Sequence, residues 1–130
     1  MSKAEFITRP AGVHQPPGNA LSHAVVADST VYISGQLGLT EDGLLVDGFE
    51  GQATQAFENL RAVLKAADAE LTDIVKVTVL LTDRSNVRAY MPLAHEFLPQ
   101  RPASTLQVVA GLAMPGLLFE IDAIARRSAG

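Results

Sequence analysis

The chain has no cysteine among its 130 residues. That excludes a disulfide framework and any thiolate chemistry, and it fits a reducing compartment. No apolar run approaches the ~18 residues that a membrane span requires. The stretch from Met1 to Gly18 holds no apolar core flanked by basic residues, so no secretory signal is expected. Lysine and arginine number 10 against 14 acidic residues, for a net charge of −4. They stand singly apart from Arg126-Arg127, whereas a nucleic-acid surface would cluster them. There is no glycine-rich phosphate loop and no defensible Ser-His-Asp arrangement. His14, His23 and His95 lack metal-ligand spacing. These absences set aside membrane, nucleic-acid and metal roles. They leave an expected cytoplasmic protein without cofactor or metal, whose partner is a small molecule or another protein chain.

The composition is that of a globular domain, with 48% hydrophobic and 18% charged residues. A chain of this length buries roughly two thirds of its unfolded surface, enough for a core without staples. The expectation is one domain over residues 1–130. Pro10, Gly12, Pro16, Pro17 and Gly18 mark residues 1–20 as an irregular N-terminal arm. Ala24 to Ala27 and Thr30 to Ser34 are short β-branched runs split by Asp28-Ser29, which reads as a hairpin. Leu44 to Asp47 can add a little pairing after the Glu41-Asp42-Gly43 turn. From about Gly51 to Ala67, apolar residues recur three and four apart (Ala53, Ala56, Phe57, Leu60, Val63, Leu64), marking an amphipathic helix.

Ile74 to Leu81 is nearly all apolar and rich in Val, the pattern of a central strand buried on both faces. Val87, Met91, Ala94 and Leu98 form the stripe of a second helix. Pro92 is best accommodated in a first turn, which limits that helix to about Met91 to Leu98. Ser104 to Val109 and Leu117 to Ala125 read as the closing strands. The order β-β-α-β-α-β-β implies an α/β (α+β) mixed sheet with two helices on one face. No third helix exists to cover the other face, so a second copy of the chain is the expected cover.

Five segments carry a resemblance: Val31-Tyr32-Ile33-Ser34-Gly35-Gln36, Asn59 to Leu64, Ile74 to Asp83, Pro102 to Val108 and Glu120 to Ala125. In order and spacing they resemble the Rid (YjgF, reactive intermediate deaminase) family, from about Leu21 to Arg126. The resemblance implies a chorismate-mutase-like fold and a homotrimer around a barrel-like centre, with small-molecule pockets between subunits. It also implies hydrolysis of enamines or imines to ammonia and a ketone, an activity that many members have, while others have no established reaction.

Carried over residue by residue, the resemblance makes Glu120 the catalytic, water-positioning carboxylate. It implies substrate contacts at Leu21, Ser34, Gly35, Met91, Ala103 and Thr105, with Arg101 nearby. Leu21 stands where the family has a tyrosine, Met91 approximately where it has an asparagine, and Ala103 where it has its signature arginine. About two extra residues fall between Thr105 and Glu120, near Gly111 to Gly116. Each residue also has a plainer reading. Glu120 and Asp122, about 7 Å apart on one strand face at ~3.3 Å per residue, can be satisfied interface carboxylates. Ser34 can end a strand by bonding the Gly35-Gln36 turn. Arg101, which could stand in for the anchor, can be a solvated loop residue.

An imine derived from an amino acid carries a carboxylate best held by arginine. Loss of such an anchor removes on the order of 2–5 kcal/mol, or one to a few decades in rate. Two functions follow. One is a C=N hydrolase acting on a substrate other than amino-acid-derived imines, with Glu120 as base. The other is a non-catalytic small-molecule-binding or regulatory trimer. Ribonuclease activity ranks third, given the acidic balance.

Overall fold

A computed structural model describes residues 3–128. Its elements are β1 (Glu5–Ile7), β2 (Ala24–Ala27), β3 (Thr30–Leu37), α1 (Phe49–Ala66), β4 (Ile74–Leu81), α2 (Val87–Phe97), β5 (Ala103–Val108) and β6 (Phe119–Arg126). The strands form one six-stranded sheet in the order β1-β2-β3-β6-β4-β5. Only β4 and β5 pair in parallel, and α2 supplies the crossover that parallel neighbours need. The expected mixed sheet with two helices is what the chain forms.

The β2–β3 hairpin turns at Asp28-Ser29, with Ala27 opposite Thr30 and Asp28 in the left-handed region at φ 55°. Asp tolerates that region because its short polar side chain bonds locally. In α1 the stripe Ala53, Ala56, Phe57, Leu60, Val63 and Leu64 is wholly buried. Both helices lie on one sheet face, which Val31, Ile33, Val77, Val79, Leu81, Phe119, Ile121 and Ala123 build from the strands. Phe57 stacks on Phe97 at 4.6 Å and meets Phe119 at 6.0 Å. Truncating such a side chain to alanine costs about 3–5 kcal/mol.

Four expectations are corrected. The N-terminal arm is not irregular throughout, because Glu5–Ile7 pairs with β2 as an edge strand. The first hairpin's second strand does not stop at Ser34 but runs on to Leu37. The helix α2 begins at Val87, so Pro92 lies inside it and not in its first turn. Its buried residues are Tyr90, Leu93 and Phe97, while Met91 is 46% exposed. Of the expected stripe, Leu98 is buried and Val87 and Ala94 are partly buried against the core, so Met91 alone falls outside it. Burial of two aromatic rings and a leucine outweighs the lost Pro92 hydrogen bond, and Pro92 itself faces solvent. Finally, β4 is not buried on both faces. Val77, Val79 and Leu81 face the helices, whereas Val75 is 47% exposed and Lys76 is exposed too.

The face away from the helices carries Tyr32, Ile124, Lys76 and Ala103 in one cross-strand row. Thr105 lies in the next row with Thr78 and Asp122. A third row holds Leu37, Glu120, Leu80 and Gln107. Among the described residues no helix is long and apolar enough to cross a membrane.

Candidate functional site

A cavity of about 450 Å³ opens where β3 and β6 meet. Its strand wall is Ser34, Gly35, Gln36, Leu37 and Glu120, and its outer wall is Val13, His14, Pro16, Pro17 and Leu21 from the arm. Ala113 and Met114 from the β5–β6 connection close the rim.

A β-bulge shapes the strand wall. Ile33 pairs with Ala123 and Gln36 with Ile121, so β3 holds one more residue than β6 over that stretch. The extra length places Gly35 beneath Glu120. A Cβ on residue 35 would stand 2.7 Å from the Glu120 carboxyl carbon, so only glycine leaves the carboxylate its place. Ser34 donates its hydroxyl proton to the Ser22 carbonyl at 2.6 Å, and its backbone N–H donates to the His23 carbonyl at 2.9 Å.

Buried polar side chains hold the walls. Gln36, 2% exposed, donates from Nε2 to the Ser34 carbonyl at 3.0 Å and to His23 Nδ1 at 3.2 Å. With Nδ1 accepting, the His23 proton sits on Nε2, which donates to the His14 carbonyl at 3.1 Å. Burial pushes the His23 pKa below its ordinary 6.5 and the neighbouring His14 charge adds to this, against the opposing bond to the His14 carbonyl. Neutral His23 therefore fastens the arm to β3. Asn59 of α1 donates to the carbonyls of Leu37 and Leu39 at 2.8 and 3.0 Å and fixes the end of β3. Gln52 of α1 donates to the Gly116 carbonyl at 2.9 Å and accepts from the Leu118 N–H at 2.8 Å, clamping the connection that carries Met114.

Glu120 is half-buried. Burial raises its pKa above 4.5, and the negative charge of Asp122 on the same strand face raises it further. A carboxylate so placed exchanges protons more readily near neutral pH, as a general base must. The described residues contain no group of three or more His, Asp or Glu side chains that could hold a metal ion.

Of the residues singled out from the sequence, Leu21, Ser34, Gly35 and Glu120 line this cavity. Met91 and Arg101 line a different groove of about 260 Å³ between α2 and β5. Ala103 and Thr105 lie on the open sheet face, opposite Lys76 and Thr78, and β4 separates them from Glu120. One chain thus brings four of the eight together. Sequence reasoning passed over Gln36, Gln52 and Asn59. Gln52 and Asn59 are seven residues apart on the apolar stripe of α1, and polar residues on a buried stripe mark partners elsewhere in the chain.

A family model described as Endoribonuclease L-PSP matches residues 13–127. A human protein named 2-iminobutanoate/2-iminopropanoate deaminase is 35% identical over 127 residues, covering 94% of this chain and 92% of the relative. The Drosophila melanogaster RutC family protein UK114 is 44% identical over 107 residues, covering 80% and 77%. The crystal structure of E. coli TdcF with bound serine superposes with a TM-score of 0.87 at 27% identity, over 95% of this chain and 100% of that one. With the six-stranded sheet, its two helices and a matched segment that includes the whole cavity, the chain belongs to the Endoribonuclease L-PSP family, also called the YjgF/Rid family.

Proposed function

We propose that this chain hydrolyses the C=N bond of a neutral imine, or of the imine tautomer of a neutral enamine, with Glu120 holding and deprotonating the attacking water. The observation that carries this reading is the cavity's lining. Glu120 supplies a carboxylate of raised pKa at its polar end, and among the described residues no lysine or arginine lines it. The deaminase named among its relatives acts on iminobutanoate and iminopropanoate, which are carboxylated. A carboxylated imine brought into this apolar enclosure would lack a cationic partner, and burying an unpaired charge is costly. A neutral imine meets no such penalty. In this reading the neighbouring copy of a homotrimer brings Ala103 and Thr105 of its open sheet face to the cavity.

The test compares ammonia release from 2-iminobutanoate with release from a neutral N–H ketimine. The wild type is expected to favour the neutral substrate, and Glu120→Ala to abolish turnover. Ala103→Arg is expected to raise activity on 2-iminobutanoate by about tenfold or more, the worth of a charge-assisted anchor. Fast wild-type turnover of 2-iminobutanoate would refute the neutral-substrate reading.

A second reading is a non-catalytic trimer that binds an apolar metabolite. Leu21, Met91 and Ala103 favour it, being apolar where the resemblance implies polar contacts. Ligand binding unchanged in Glu120→Gln, with no turnover of any imine by the wild type, would establish it.

A further inference from the structure

Most polar groups lining the cavity are already committed. The Ser34 hydroxyl gives its proton to Ser22, the Gln36 amide nitrogen serves Ser34 and His23, and the Asn59 amide nitrogen serves Leu37 and Leu39. Both ring nitrogens of His23 are occupied. Two titratable side chains remain with free hydrogen-bonding capacity, the Glu120 carboxylate and the His14 imidazole.

The His14 ring is also seated. Its Cε1 edge fills the space that a side chain on residue 43 would take, 2.6 Å from a Cβ built there, with Nδ1 at 2.9 Å. Gly43 has φ +81° and provides that shelf. The backbone of His14 is tied down through its carbonyl by His23. A proton-carrying group with both nitrogens unbonded, seated on Gly43, lines the same cavity as Glu120, and such a group can serve a substrate bound there as an acid–base partner.

We propose that His14 is a second catalytic residue, which carries protons to and from the substrate while Glu120 serves the water. This rests on the imine-hydrolase reading above. Water adds to the imine carbon as Glu120 takes one of its protons, and the C=N π electrons move to nitrogen, which takes a proton from imidazolium His14. The carbinolamine then collapses. Neutral His14 removes the hydroxyl proton, the C–N bond breaks, and the nitrogen leaves as ammonia after taking the proton held by Glu120. The ketone and ammonia account for every atom of imine and water, and both side chains return to their starting states.

The test uses the full-length protein and a series of neutral imines of one ketone, whose departing amines differ in basicity. Position-specific general acid–base catalysis contributes about 10²–10⁴-fold. His14→Ala is therefore expected to lower kcat by about 10²-fold or more with little change in KM. The loss should be steepest for the imines of the least basic amines, whose nitrogen depends most on a proton donor as water adds, and added imidazole should restore part of it. His14→Gln should be as slow while keeping the arm's bulk. Gly43→Ala, which displaces the ring, should lower kcat in the same direction. Folded His14 variants with wild-type kcat, or a loss that imidazole cannot restore, would overturn the role of His14. If Glu120→Gln is still inactive against an active wild type, the imine-hydrolase reading stands without it. A wild type inactive on the whole series refutes that reading and this inference together.

Discussion

Glu120 sits where the fold opposes its charge. Both burial and Asp122 raise its pKa from 4.5, so the folded protein holds the proton more tightly than the unfolded chain does. The associated stability is fully present below pH 4.5 and is lost as pH rises through the folded-state pKa. At neutral pH the ionised carboxylate is therefore a burden on the fold, the usual trade between activity and stability. Glu120→Gln keeps the shape and removes the charge. The expected result is a higher Tm than wild type at pH 7, and a difference that shrinks toward zero as the pH is lowered to 4. Thermal melts across that range check it, and a lower Tm for Glu120→Gln at pH 7 would contradict the account. Gly35 beneath the carboxylate belongs to the same economy of space, since a Cβ there would push the carboxylate aside.

At the scale of elements, α1 does two jobs with one face. Its apolar stripe fills the core, and Gln52 and Asn59 reach out of that stripe to backbone groups of the β5–β6 connection and the end of β3. Close approach is needed for this. A Cβ on Gly38 would stand 2.5 Å from the Gln52 Cβ, so glycine at 38 lets the helix settle against the strand. Gln52→Ala removes both ends of the clamp and leaves the Leu118 N–H and Gly116 carbonyl without their partner. The expected cost is about 1–3 kcal/mol, read by urea unfolding. Faster hydrogen exchange at the Leu118 amide should accompany it. Unchanged exchange there would show that the clamp does not set the rim of the cavity.

At the scale of the molecule, the sheet is finished on one side only. The face away from the helices carries Tyr32 at 49% exposure in a row with half-buried Ile124. Unpartnered apolar sheet surface of this kind marks an interaction site. In the trimer proposed above, the copy that covers this face brings Ala103 and Thr105 to a neighbour's Glu120, across a gap that β4 keeps open within one chain. Light scattering at micromolar concentration is expected to give the mass of three 13.8 kDa chains. Tyr32→Glu, which puts a charge into the covered face, is expected to shift that mass toward the monomer. A wild type that remains monomeric would remove the basis for a pocket shared between copies.

What the sequence by itself determined was what local pattern and turn chemistry determine. The spacing of Ala53, Phe57, Leu60 and Leu64 fixed a helix and its buried side, and Asp28-Ser29 between β-branched runs fixed a hairpin. The segments from Val31 to Gln36 and from Glu120 to Ala125 carried the family. Tertiary structure decided whatever depends on a partner distant in the chain. The strand Glu5–Ile7 exists because β2 offers it a ladder. Pro92 stays inside α2 because Tyr90, Leu93 and Phe97 are buried against the core. The bulge at Ser34-Gly35 appears only when β3 and β6 are laid side by side. The partners of Gln52 and Asn59 lie 64 to 66 and 20 to 22 residues away, respectively, a separation that no window of local pattern spans. The cavity divides from the α2–β5 groove for the same reason. Strand order is set by which faces can be buried together, and it puts β4 between the two sets of residues that the sequence had grouped as one.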